Sequence, residues 1–257
     1  MKRIFRVLML GLLLAGLIGC GAAGPTLDEA KAKMERGDYE GAFTDLQAIV
    51  AANPDDVEAQ FQLGMAALRS GHADVAQAAF QKVLELDPTR AAAVHHNLGV
   101  LYYQQGQIDE AIAQFQEALA EEPDDPDTHY QLGAAYLVQA LPDDPNAPVD
   151  GAKVAQAIQE FEQALSVEPE KAEALVGLGN AYLLEGKTEE AIAKLEEALK
   201  VAPEMPEALF TLGQAYAQAG RIDEAKAMLQ RFLETNPPDT WAQQAQVLLA
   251  QLNSLQP

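Results

Sequence analysis

Residues 172–205 read AEALVGLGNAYLLEGKTEEAIAKLEEALKVAPEM. Leu178, Gly179 and Tyr182 fall on one face of a first helix, at i, i+1 and i+4. Gly186 stands where a helix C-cap must turn left-handed. Ala191 and Leu195 belong to a second helix. Pro203 ends it, because proline neither donates a hydrogen bond nor continues the turn. The stretch recurs along the chain. Pro54, Pro88, Pro123, Pro169, Pro203 and Pro237 are spaced 34, 35, 46, 34 and 34 residues apart. Twelve residues before them stand Ala42, Ala76, Ala111, Ala157, Ala191 and Ala225; eight before stand Leu46, Phe80, Phe115, Phe161, Leu195 and Leu229. Leu-Gly pairs occur at 63–64, 98–99, 132–133, 178–179 and 212–213, and Tyr102, Tyr136, Tyr182 and Tyr216 follow four of those glycines.

A 34-residue period carrying these residues resembles the tetratricopeptide repeat (TPR). The resemblance covers about 23–237, as units 23–56, 57–90, 92–125, 126–171 with a 12-residue insertion, 172–205 and 206–239. It implies an all-α fold: a right-handed α-solenoid of six TPR helix pairs plus a C-terminal capping helix. The first unit is degraded, with Glu29, Ala30 and Lys33 where Leu, Gly and Tyr are expected. The glycine of each Leu-Gly pair lets the second helix approach, at a helix-propensity cost of about 1 kcal/mol. The small alanine of the second helix is expected to meet it. No single pair buries its apolar face alone, so the array needs stacked neighbours and capped ends.

Composition fits such an array. Of 257 residues 49% are hydrophobic but only 6% aromatic, as small residues at close helix crossings require. Lys and Arg number 17 against 39 Asp and Glu, a net charge of −22, which leaves no basic stripe for nucleic acid. One cysteine excludes an intrachain disulfide framework and a cysteine-rich metal site. Ser70, Ser166 and Ser254 are scattered, and the glycines stand singly, so neither a catalytic triad nor a phosphate-cradling loop can be assembled. No enzyme activity, cofactor or metal is expected. His95 and His129 occupy the same position of successive units and read as packing residues rather than ligands.

The N-terminus, MKRIFRVLMLGLLLAGLIGC, has a basic start (Lys2, Arg3, Arg6) and an apolar run from Val7 to Ile18. That run spans about 18 Å as a helix, short of a bilayer core of roughly 30 Å. It is signal-peptide anatomy over 1–19. Leu17-Ile18-Gly19-Cys20 resembles the lipobox of bacterial lipoproteins, which implies lipid attachment at Cys20 and cleavage before it. Each buried CH₂ contributes about 0.8 kcal/mol, so two or three chains anchor where one does not. The alternative is an uncleaved signal anchor. Residues 20–25 then form the lipidated Cys and a short tether, reaching at most about 18 Å.

At the other end, 239–257 form a capping helix and tail. Thr240 and Gln243 read as a capping box, with Asp239 a competing N-cap. Trp241, Ala245, Leu248, Leu249 and Leu252 share a face, and Trp241 is expected to cover the open end of unit six. The insertion around 141–151, LPDDPNAPVDG, reads as a long turn-rich loop. Asp143, Asp144, Asn146 and Asp150 lack EF-hand spacing.

In TPR proteins the first helices line a concave groove, with repeat positions 2, 5, 9, 12 and 13 facing it. Carried onto this chain, those positions give Phe61, Met65, His96, Tyr103, Tyr130, Asn180 and Phe210 as candidate groove residues. Positions 5 and 9 offer Lys31 as their one cation, so the subclass that grips a C-terminal carboxylate is not expected. An apolar floor suits an amphipathic helix or extended hydrophobic peptide. Position 2 is acidic in Glu58, Asp127, Glu173 and Glu207. These are either a rail selecting basic partners or first-turn carboxylates favouring the helix macrodipole, each by about 0.3–1 kcal/mol. The expected function is a membrane-anchored scaffold binding a protein or peptide segment on the non-cytoplasmic side of a bacterial envelope. Lipid-anchored six-repeat architecture is similar to that of the pilotins of type IV pilus assembly. The alternative is a structural lipoprotein that assembles as a homo-oligomer.

Overall fold

The computed structural model describes residues 24–142, 144 and 147–255, and these form thirteen α-helices and no strand. Six helix hairpins follow one another. They are α1 (Leu27–Glu35) with α2 (Tyr39–Ala52), α3 (Val57–Ser70) with α4 (Ala73–Leu86), and α5 (Ala91–Gln104) with α6 (Ile108–Glu121). Then come α7 (Pro126–Ala140) with α8 (Gly151–Val167), α9 (Ala172–Leu184) with α10 (Thr188–Val201), and α11 (Pro206–Gln218) with α12 (Ile222–Glu234). The last helix is α13 (Asp239–Ser254). Each helix packs on the next, and the odd-numbered helices from α1 to α11 also touch one another in a row. That row is the inner wall of a TPR-like solenoid. Residues 1–19 and Cys20 lie outside the described residues. Among the described residues no helix is long and apolar enough to cross a membrane.

The punctuation of the sequence becomes backbone geometry. Gly71 ends α3 at φ +82°, its amide bonded back to the Ala67 carbonyl, in a left-handed conformation that a side chain would strain. The second helices α2, α4, α6, α8 and α10 stop two residues before their prolines. Asn53, Asp87, Glu122, Glu168 and Ala202 are extended there, with φ between −142° and −124°, as a following proline demands. Unit six departs: Asn236 is left-handed at φ +55°, and Pro237-Pro238 redirect the chain into α13.

The six motif alanines and the six large apolar residues beyond them are all fully buried. The nearest atoms to each Leu-Gly glycine belong to the large residue; at Gly213 the backbone carbonyl of the motif alanine Ala225 is also close, 3.5 Å from where a Cβ would stand. A Cβ on Gly64 would lie 2.5 Å from the Phe80 ring, on Gly99 2.5 Å from Phe115, and on Gly179 2.8 Å from Leu195. The side chain one turn beyond the alanine makes the tightest approach to the first helix. Three of the four motif tyrosines lock neighbouring units. The Tyr102 hydroxyl accepts from Gln77 at 3.1 Å and that of Tyr136 from Gln116 at 2.9 Å, while Tyr216 donates to Glu196 at 2.6 Å.

Irregular places have local causes. The degraded α1 is nine residues long and is held by a capping box, Thr26 with Glu29. The extra residue between units two and three is absorbed by a 3-10 turn, Pro88–Arg90, capped by Asp87. In unit four, α8 is extended to 17 residues, which takes up part of the insertion. Asp150 accepts from the Ala152 and Lys153 amides as N-cap of α8; Asp143 and Asn146 lie outside the described residues. The expected box at Thr240 and Gln243 is not formed. Pro238 is the N-cap, without a side-chain bond, so Thr240 already lies inside the first turn.

Candidate functional site

On the inner wall, α5, α7, α9, α11 and α13 enclose a cavity of about 300 Å³. Tyr103, Tyr130, Leu137, Phe161, Val176, Phe210 and Trp241 supply apolar and aromatic surface, with Asn180 and Thr211 as amide and hydroxyl. Four of the seven sequence candidates therefore meet here: Tyr103, Tyr130, Asn180 and Phe210. Tyr130 leans on Phe161 with ring centroids 6.1 Å apart. Burial pushes the Tyr103 phenol above its ordinary value. Burial, followed by the charge of Glu173, does the same to Tyr130.

The other three candidates lie elsewhere. Phe61 and Met65 are half-buried against the N-terminal core. Phe61 sits edge-on to Phe80, with the Arg90 guanidinium 5.6 Å above its ring. His96 borders a separate cavity of about 210 Å³ beside Thr128. Its Nδ1 lies 2.6 Å from the Thr128 hydroxyl, which donates to Asp125, so Nδ1 is the donor. Burial lowers the pKa of His96 against the opposing pull of Asp125. His95 and His129, which share the preceding repeat position, are engaged too: His95 with Gln114 at 2.9 Å, and His129 with Glu160 at 2.7 Å and the Pro123 carbonyl at 2.8 Å.

Trp241 does more than close the end of the array. Its ring packs 5.8 Å from Phe210 and 6.3 Å from Phe232, yet the residue is 38% exposed and lines the cavity. Phe210 also borders a second opening of about 660 Å³ against α13, lined by Gln214, Gln243, Gln244 and Val247. Sequence reasoning also passes over Gly177. Its Cβ would stand 2.5 Å from Phe161, so this ring rests between Gly133 and Gly177 of successive first helices. The run Gly177-Leu178-Gly179, with one more glycine than any other unit has there, is the available signal.

The four acids of position 2 divide into two pairs. Glu58 holds Lys31 at 2.6 Å and Arg90 at 2.8 Å, tying unit one to unit two and to the turn that closes unit two. These partners, the Lys31 bond above all, bring its carboxyl down to about 2. Asp127 holds Lys171, which also meets Glu168. Glu173 and Glu207 border the 300 Å³ cavity and have no ion-pair or hydrogen-bond partner among the described residues.

Comparisons with known proteins agree with this geometry. Models described as tetratricopeptide repeat match residues 27–91 and 146–206, 79–113, and 182–252, and one described as TPR repeat matches 99–140. Among solved structures, PilW, titled a widely conserved type IV pilus biogenesis factor, is 18% identical, with a TM-score of 0.70 over 84% of this chain and 94% of that one. The pilF protein of Pseudomonas aeruginosa is 19% identical, with a TM-score of 0.68 over 86% and 94%. YrrB, titled a TPR protein with an unusual peptide-binding site, is 22% identical, with a TM-score of 0.55 over 78% and 97%. Helix hairpins, glycine-seated side chains and repeat models that together run from 27 to 252 with a gap only at the insertion lead to one statement: the chain belongs to the tetratricopeptide-repeat proteins.

Proposed function

We propose that this protein is a lipid-anchored scaffold of a bacterial envelope that holds a segment of a partner protein in its groove. The carrying observation is the cavity between α5 and α13, where half-buried aromatic side chains stand open on the inner wall. Such a floor takes the apolar face of a helix or extended segment, and a rigid solenoid presents it without an ordering cost. The anchor rests on the lipobox-like Leu17-Ile18-Gly19-Cys20, and the first helix starts at Leu27, a few residues beyond. Likeness to pilus proteins supports the fold, and the envelope role rests on the N-terminal sequence. No catalytic role is assigned.

Two experiments test this. A photo-crosslinking residue at Asn180, in the groove, should trap a partner in cells; the same residue at exposed Glu117 on α6 should not. Equal trapping at both sites sinks the groove reading. Cys20→Ser should release the protein from membranes, and unchanged retention favours an uncleaved anchor. A second reading, self-assembly, is favoured by α13, where Val247 and Leu255 are 58% and 68% exposed. Light scattering that shows a monomer at high concentration excludes it.

A further inference from the structure

We infer that the C-terminal half of the groove selects a cationic partner: a helical segment with lysine or arginine flanking an apolar face. The inference rests on the groove reading above and adds the chemistry of the occupant. Its grounds are the two carboxylates that the fold leaves unused. Glu58 is paired with Lys31 and Arg90 and Asp127 with Lys171, whereas Glu173 and Glu207, in the same repeat position, have no cation among the described residues. Both stand at the rim of the aromatic cavity.

Their field reaches inside. After burial, Glu173 is the largest influence resisting ionisation of the Tyr130 phenol, and Glu207 adds to it. The nearby Lys171 is occupied by Asp127 and Glu168. An incoming anion would therefore meet repulsion, and an incoming ammonium or guanidinium would meet two unpaired carboxylates at a cavity that Tyr103, Tyr130 and Trp241 also line. Aromatic faces also attract cations. An apolar stem with a charged head fits this layout, because its methylenes lie on the rings while the head reaches the rim. Beyond Phe210 the second opening offers glutamines and Val247 but no charge, so the selection is local to the Glu173–Glu207 rim.

The test uses the full-length chain and its one tryptophan, Trp241, which lines the cavity and reports its occupancy by fluorescence. Three synthetic helical peptides without tryptophan share one leucine face and carry Lys, Gln or Glu at the flanking positions. The Lys peptide should bind tightest, and its affinity should fall between roughly 0.05 and 0.5 M salt. The exposed pair E173Q/E207Q should weaken it about tenfold and leave the Gln peptide unchanged. Circular dichroism confirms that the variant is folded. Equal binding of the Lys and Glu peptides, or an unweakened Lys peptide on the folded variant, overturns the inference and leaves the groove reading standing. Binding of none of the three overturns both.

Discussion

Gly99→Ala tests the packing logic of the array. The added methyl would stand 2.5 Å from Cδ1 and Cε1 of Phe115. Carbon–carbon contacts are comfortable at about 3.5–4.0 Å, so the ring must retreat by about 1 Å. Phe115 is fully buried among Ala111, Leu132 and Ala135 and has nowhere to go. Overpacking of this kind costs about 2–3 kcal/mol, and alanine returns about 1 kcal/mol of helix propensity. The net loss is about 1–2 kcal/mol. On a Phe115→Ala background, which itself costs about 3–5 kcal/mol, the ring is gone and the propensity gain remains. There Gly99→Ala should stabilise by up to about 1 kcal/mol. The coupling energy of the cycle is then about 2–3 kcal/mol. Urea melts of the four proteins, followed by circular dichroism, measure it; a broken or two-step transition would itself place the damage at unit three. If Gly99→Ala costs the same in both backgrounds, the glycine is not there to seat the ring.

Gly106→Ala has open space around its would-be Cβ but sits at φ +74°. It should cost about 1–2 kcal/mol through backbone strain alone, with no coupling to Phe115 in the same melts. Glu58→Gln should loosen the junction of units one and two by about 1 kcal/mol, a value reduced for the partial exposure of the carboxylate. Because the folded carboxyl is held down at about 2, that stabilisation is present above the ordinary carboxylate value of 4.5 and is lost as pH falls through 2. The gap in melting temperature between wild type and variant should therefore close over that range. Trp241→Ala should cost about 2 kcal/mol by uncovering Phe210 and Phe232, less than for a fully buried indole because Trp241 is 38% exposed. Thermal melts of the variant check it, and an unchanged midpoint would mean that α13 caps nothing.

Residues with one fixed geometric duty are legible in the sequence alone. Pro203 can only end a helix, and Gly186 can only turn left-handed there, so hairpin number and hairpin limits follow from spacing. What lies nearest Gly179 is not legible, because reach depends on side-chain direction and the closest atoms all belong to Leu195. The cap of α13 misleads for a related reason: Thr240 and Gln243 have the right spacing, but Pro238 starts the helix too early for them to use it. The groove is half legible. Repeat position places Tyr130 and Phe210 on the inner wall, yet Phe61 occupies the same position and has Arg90 over its ring and no place in the cavity. Position in a repeat says which way a side chain starts; the neighbouring unit decides what is left open.

That same distinction explains why a pocket opens here in a chain of near-identical units. From unit two to unit six, each second helix seats a large side chain on the glycine of its own first helix. In units two and three the ring meets one glycine; Phe161 meets two, because the residue facing it from the next unit is Gly177. Other units place Gln62, Asn97, Gln131 and Thr211 at that position. With no side chain at Gly177, the cavity borders the buried Phe161 ring, and Tyr130 and Phe210 line it as well. Glu173, one turn earlier on the same helix, lines the same cavity and has no ion-pair partner among the described residues. One missing side chain thus accounts for the depth of the cavity, and the unpaired acids at its rim account for its sign.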